Sequence, residues 1–91
     1  MPFEILYHSD CLRKDIPKLD RHTRQRVERT IKDRLMTDPA TFGKPLRHTT
    51  QGIWSLRVGD WRIIYKIAGP QVWILRIGHR REVYKLAIPG L

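Results

Sequence analysis

A chain of 91 residues with 41% apolar and 30% charged side chains has a globular composition, and its length suits a single domain, residues 1–91, with a modest core. That composition excludes a disordered chain. No apolar run approaches the roughly 20 residues of a membrane span, and the lone Cys11 excludes an internal disulfide and a cysteine-based metal site.

The net charge is +9, and it is placed unevenly. Residues 1–41 hold nine Lys/Arg against seven Asp/Glu, whereas residues 42–91 hold nine against Asp60 and Glu82 alone. A positive field of that kind suits a polyanion, an acidic protein or an anionic membrane. The opening residues have no basic segment followed by an apolar block, so no secretory leader is expected and the expected compartment is the cytoplasm.

In chain order, Phe3 to Tyr7 alternates and is β-prone, which predicts a strand with Phe3, Ile5 and Tyr7 on one face. Ser9 or Asp10 can cap a short helix over Cys11–Ile16, which Pro17 ends or kinks. Asp20 then caps a longer helix to about Thr37. Val27, Ile31 and Leu35 fall four apart, and Leu19 and Thr23 extend that stripe backwards. The remaining face carries charges at helical spacing, Glu28 and Lys32 among them, and is expected to be mostly solvated. Asp38-Pro39 stops the helix, and residues 38–52 read as a linker.

Gly59-Asp60 is a two-residue hairpin signal between Trp54–Val58 and Trp61–Ile67. That register sets Val58 opposite Trp61 and Arg57 opposite Arg62. Trp54, Leu56, Val58, Trp61, Ile63, Tyr65 and Ile67 then share the core face, with Ile53, Ser55, Arg57, Arg62, Ile64 and Lys66 on the other. Like charges directly opposite on neighbouring strands are destabilising, and no hairpin acid points between the two arginines. The pair therefore suggests an anion site, and guanidinium matches phosphate geometry. Residues 71–77 form the last main strand. If Ala68-Gly69-Pro70 is a three-residue turn, Trp73, Leu75 and Ile77 join the core face and Arg76 sits beside Arg62; a two-residue Gly-Pro turn reverses the facing. Val83 to Leu86 is read as a short edge strand.

No metal constellation is visible: His8, His22, His48 and His79 are scattered, and Gly43-Lys44 lacks the rest of a phosphate loop. The groups left for chemistry are Arg, Lys, His and Tyr, which suit phosphoryl transfer within RNA. A 2′-hydroxyl attacks the adjacent phosphate, and fixed cations stabilise the charge that grows there.

Three motifs, Gly43-Lys-Pro-Leu-Arg47, Trp54-Ser-Leu-Arg-Val-Gly-Asp-Trp-Arg-Ile-Ile-Tyr65 and Ile77-Gly-His-Arg-Arg-Glu-Val-Tyr84, together resemble the RelE/ParE superfamily of toxins, and the resemblance covers essentially the whole chain. The closing motif is similar to the RelE branch. The resemblance implies an α+β fold with two helices in the N-terminal half packed on a twisted, mainly antiparallel sheet. It further implies the toxin of a type II toxin–antitoxin system, an endoribonuclease that cleaves translated mRNA in the ribosomal A site without a metal or other cofactor. Arg62 would stabilise the phosphorane, Arg80 would sit at the leaving 5′-oxygen, and Tyr84 would be the base, with His79 an alternative acid. Lys44, Arg47 and Arg57 would hold RNA phosphates; the reading of the residues themselves adds Arg76 and Arg81 as candidate RNA-binding side chains. The implied partners are the ribosome, mRNA and an acidic RelB-like antitoxin in a hetero-oligomer, with no membrane. The enzymes of this branch carry strand lysines where this chain has Ile53 and Ser55. Alternative readings are a ParE-like inhibitor of gyrase and a noncatalytic RNA- or protein-binding module.

Overall fold

A computed structural model of the chain describes residues 2–46 and 52–89. Its centre is a five-stranded sheet in the order β1-β5-β4-β3-β2, built from β1 (Glu4–Tyr7), β2 (Lys44–Pro45), β3 (Ile53–Val58), β4 (Trp61–Ala68) and β5 (Gln71–His79). The pairings β2–β3, β3–β4 and β4–β5 are antiparallel. Only β1 runs parallel to its neighbour, with Glu4 beside Gln71 and Tyr7 beside Ile74. The fold is the expected α+β arrangement: helices lie on one face of a mainly antiparallel sheet.

The helices form where the sequence places their caps and stripes. Asp20 precedes the long helix (Arg21–Thr30, continuing through Ile31–Leu35), and its carboxylate accepts the Thr23 backbone N–H at 2.7 Å. That bond and the Thr23 side-chain bond hold the Asp20 carboxyl below its ordinary range. Leu19, Val27, Ile31 and Leu35 are buried against Leu56, Val58, Ile63, Tyr65, Val72, Ile74 and Ile77, with Phe3, Ile5 and Tyr7 half-buried at the margin. The short helix spans Cys11–Asp15 and tightens into a turn at Ile16–Lys18. Asp10 supplies no side-chain cap there; instead His8 Nδ1 accepts the Asp10 N–H at 3.1 Å. Cys11 is fully buried, and burial, reinforced by the charge of Asp15, pushes its thiol up to about 12.

Two expectations are corrected, and one open alternative is decided. The residues read as a linker hold a one-turn helix (Pro39–Phe42) and the edge strand β2, whose Lys44 and Pro45 pair with Ser55 and Trp54. Pro39 both ends one helix and begins the next, because its missing N–H costs nothing in a first turn. The segment at Val83–Lys85 is a helical turn and not an edge strand. It belongs to a strap that lays Val83, Leu86 and Ile88 over Ile53, Ile64, Leu75 and Trp73 on the second face of the sheet.

The open alternative is the β4–β5 turn. Gly69-Pro70 is a two-residue loop between Ala68 and Gln71, with Gly69 at a φ of +58°. Val72 and Ile74 therefore face the helices, and Trp73 and Leu75 face the strap. A bulge then breaks the register between Ile64 and Tyr65, so that Tyr65 pairs with Ile74 while Ile64 pairs with Arg76. The extra residue returns Ile77 to the helix face. Arg62 consequently has Gly78, not Arg76, as its cross-strand neighbour.

Candidate functional site

The β3–β4 hairpin has the register its turn signal predicts, with Val58 opposite Trp61 and Arg57 opposite Arg62. Gly59 takes the left-handed φ of +61° that the first loop position needs. The arginines open onto a cleft of about 680 Å³ lined by Arg34, Phe42, Lys44, Pro45, Leu46, Ser55, Leu56, Arg57, Arg62 and Tyr84. Four of these are cationic and none is acidic. Arg57 leans away, its Nε donating to the Gly59 carbonyl at 3.1 Å. Arg62 is half-buried, and its Nη1 is the one buried side-chain polar atom without a hydrogen-bond partner among the described residues. A buried donor left unmade costs about 1–3 kcal/mol, more when charged. Two opposed arginines and one orphaned guanidinium nitrogen fit an anion taken up from outside.

Tyr84 reaches the cleft from the helical turn of the strap. It is 54% exposed, and its Oη lies 3.3 Å from Ser55 Oγ. The turn is held by Val83, which is fully buried. At the opposite rim, Lys44 stands on β2, next to a close approach that only glycine permits. Tyr65 passes beneath Gly43 to donate to the Pro39 carbonyl at 2.7 Å, and a Cβ at residue 43 would overlap the Tyr65 hydroxyl. Gly43→Ala is therefore expected to lower stability by about 1–3 kcal/mol. Tyr65→Phe in the same chain should recover part of that loss, as read by urea titration of both single variants and the double. A Gly43→Ala protein as stable as the parent would show that this packing does not constrain residue 43.

The structure thus brings Lys44, Arg57, Arg62 and Tyr84 together, and adds Arg34 and Phe42. The other expected residues sit elsewhere. His79 pairs with Trp61 on the helix face, its ring edge-on to the indole at 5.8 Å, and its Nδ1 accepts the Arg81 N–H. Arg80 is fixed to the hairpin tip through its N–H to the Asp60 carbonyl at 2.7 Å, with its guanidinium 3.8 Å from the Asp60 carboxylate. Both side chains are exposed, so that ion pair is weak and leaves the guanidinium free to turn. Arg47 lies outside the described residues.

Arg76 is the clear departure. It is only 5% exposed, and its Nε and Nη2 both bond the Asp15 carboxylate at 2.8 Å. Its Nη1 donates to the Ala87 carbonyl at 2.9 Å, and Asp15 also accepts the Ile77 N–H. A guanidinium committed in this way has nothing to offer RNA. It ties the short helix, β5 and the strap together. Nothing in the spacing of Asp15 and Arg76 announces the pair; the one sequence signal is an acid within an otherwise apolar helical stripe. Arg34 was hidden among the charges of the long helix, and Phe42 within the supposed linker.

A second groove, between β1 and the long helix, mixes Glu4 and Glu28 with Arg29 and Lys32. Burial and the neighbouring Glu28 raise the Tyr7 hydroxyl there. It holds no orphaned buried group. Among the described residues no cluster of three metal-ligating side chains exists, and no helix is long and apolar enough to cross a membrane.

Residues 9–84 match the family described as the ParE toxin of the type II toxin–antitoxin system parDE. The chain belongs to the RelE/ParE superfamily of type II toxins. Among solved structures, the toxin is similar to a chain of the toxin–antitoxin complex RelBE2 from Mycobacterium tuberculosis. Identity is 32% and the TM-score 0.79, over 88% of this chain and 93% of that one. The fold of the toxin is also that of a chain of the RelB–RelE antitoxin–toxin complex from Methanococcus jannaschii, at 19% identity and a TM-score of 0.69, covering 90% and 98%. It is shared again by the isolated RelE toxin from E. coli, at 19% identity and a TM-score of 0.70, covering 91% and 92%. No curated protein sequence matches the toxin.

Ile53 and Ser55 take on local sense within this frame. Ile53 is buried under the strap, where a lysine would have to lose its water, and Ser55 instead meets the Tyr84 hydroxyl. The positive charge of the cleft comes from Arg34 and Lys44 in addition to the hairpin pair.

Proposed function

We propose that this toxin is an endoribonuclease that cuts translated mRNA in the ribosomal A site. The observation that carries the reading is the orphaned Nη1 of Arg62, facing Arg57 in an acid-free cleft that also holds the Tyr84 hydroxyl. In the reaction a 2′-hydroxyl loses its proton, its oxygen bonds the adjacent phosphorus, and the 5′-oxygen leaves as it takes up a proton. The products are a 2′,3′-cyclic phosphate and a 5′-hydroxyl. Arg62 holds the non-bridging oxygens as their charge grows, where a preorganised donor acts most strongly. Tyr84 takes the 2′-proton, positioned by Ser55. Arg80 swings from Asp60 to the leaving oxygen and neutralises its charge as it takes up a proton from water; His79, turned to the helix face, is withdrawn as the acid, and the proton transfer to Tyr84 contributes about 10²–10⁴-fold. Arg57, Lys44, Arg47 and Arg81 hold the flanking phosphates; Arg76 is withdrawn from that set. No metal or cofactor takes part.

The partners are the ribosome, mRNA and an acidic antitoxin whose charge complements the +9 of this chain. Two of the similar structures are complexes with RelB, and the same assembly is proposed here, in the cytoplasm. A second reading, inhibition of gyrase, is favoured by the family description, which names ParE.

Induction of the wild type and of Tyr84→Phe, with 5′ ends mapped on translated messages beside a gyrase supercoiling assay, separates the two. Ribonuclease action gives codon-spaced 5′-hydroxyl ends that Tyr84→Phe loses, with supercoiling untouched. Inhibited supercoiling without new ends would replace this reading with the second.

A further inference from the structure

Among the described residues three large apolar side chains stand exposed, Leu12, Phe42 and Tyr84. Two of them, Phe42 and Tyr84, line the same cleft as Arg57 and Arg62. Phe42 is 46% exposed at the end of the one-turn helix Pro39–Phe42. That helix is anchored at its other end by the Tyr65 hydroxyl on the Pro39 carbonyl, so the ring stands on a fixed support. The Arg34 guanidinium lies 5.7 Å from the ring centroid and also faces the cleft. Folding has left an aromatic ring and a guanidinium plane together in water, beside the arginine pair of the hairpin. Nucleobases stack on both kinds of plane, whatever their sequence, because each base has a π-face.

We propose that Phe42 and Arg34 form a base-stacking subsite that holds one nucleobase of the RNA whose phosphate lies at Arg62. The proposal rests on the ribonuclease reading of this cleft and adds a group that binds away from the reacting atoms. The subsite grips its base by the face and not by the edge. No Asn, Gln, Asp or Glu is among the described residues of the lining, and Ser55, the one hydroxyl besides Tyr84, is engaged with that tyrosine. Base identity is therefore read weakly, with purines favoured for their larger stacking surface.

Two hexaribonucleotides test this. Both are 2′-O-methylated, so neither can undergo the 2′-hydroxyl attack, and one has its three central bases removed while keeping every phosphate. Binding to the full chain is read by fluorescence anisotropy at low salt. The wild type is expected to bind the base-bearing strand about tenfold more tightly than the abasic one. Phe42→Ala should abolish that preference without changing affinity for the abasic strand, Phe42→Trp should keep it, and Arg62→Ala should weaken both strands alike. A wild type that binds both strands equally, or a Phe42→Ala protein that weakens for both in parallel, overturns the subsite and leaves the RNA reading in place. A wild type that binds neither strand overturns the subsite, while the ribonuclease reading, which places cleavage on the ribosome, is decided by the mapped 5′ ends.

Discussion

On the proposed ribonuclease reading, Arg62→Ala is expected to lower the single-turnover rate of mRNA cleavage on programmed ribosomes by about 10²–10³-fold, the loss seen when one preorganised donor to a developing oxyanion is removed. Its thermal transition should stay at or slightly above that of the parent. The two halves of this result have one cause. Arg62 faces Arg57 across the hairpin and keeps a buried Nη1 without a partner, so it holds in the free protein an arrangement that only an anion relieves. Removing it takes away a like-charge pair worth about 0.2–1 kcal/mol and an unmet donor. Arg57→Ala should cost far less activity, because Arg57 is exposed and its Nε is already bonded to Gly59. Arg62→Lys should fall between the two, since lysine keeps the charge but not the planar fork. Cleavage by Arg62→Ala at the parental rate would remove the cleft from the reaction.

The second large effect is on stability. Asp15→Ala is expected to cost about 3–5 kcal/mol, the usual penalty for stranding one partner of a buried ion pair. In a domain of this size each kcal/mol moves the melting point by about 4–8 °C, so a fall of roughly 12–40 °C follows. The magnitude comes from the number of bonds lost. Asp15, 4% exposed, satisfies two nitrogens of Arg76 and the Ile77 N–H, and all three are left in an apolar site. The apolar double replacement Asp15→Leu with Arg76→Met should regain most of the loss, because desolvation offsets much of what a buried pair contributes. It should not regain the tie from Arg76 to Ala87, so the strap that carries Tyr84 should stay loosened and cleavage impaired in a stable protein. Calorimetry of the three proteins decides the matter; an Asp15→Ala transition within 3 °C of the parent would show the pair to be dispensable.

How much of this was legible beforehand depends on which residues alternate. The β3–β4 hairpin could be read because Gly59-Asp60 fixes the loop and polar side chains mark the second face. The helix stripe at Val27, Ile31 and Leu35 was legible for the same reason. β5 was not. Val72 to Leu75 is apolar at every position, because the helices bury one face and the strap the other. A strand buried on both sides carries no alternation from which to read its facing, and the extra residue of a bulge leaves no mark in such a run. Residues 83–88 failed differently. Val83, Leu86 and Ile88 follow neither period, since an irregular strap is shaped by the surface it crosses. In the site, the motif residues on the hairpin came together, whereas Arg34 and Phe42 came from stretches whose chemistry is ordinary in isolation. Arg76 shows the reverse: a basic residue in a basic half of the chain, spent on an internal acid 61 positions away.

The parallel seam between β1 and β5 bears on how the molecule comes into being. Glu4 waits for Gln71, and Asp15 for Arg76, so β1 and the short helix are made well before the residues they pair with. Closing a loop of that length must precede any reward from the contacts it makes, which slows folding. Until β5 has emerged, the helices have only part of their sheet to cover, and the tyrosine of the strap has not been made. At about 5–20 residues per second, several seconds of synthesis pass in which the growing polypeptide carries its arginines but no assembled cleft. The topology thereby holds back the cleft until β5 and the strap have been made.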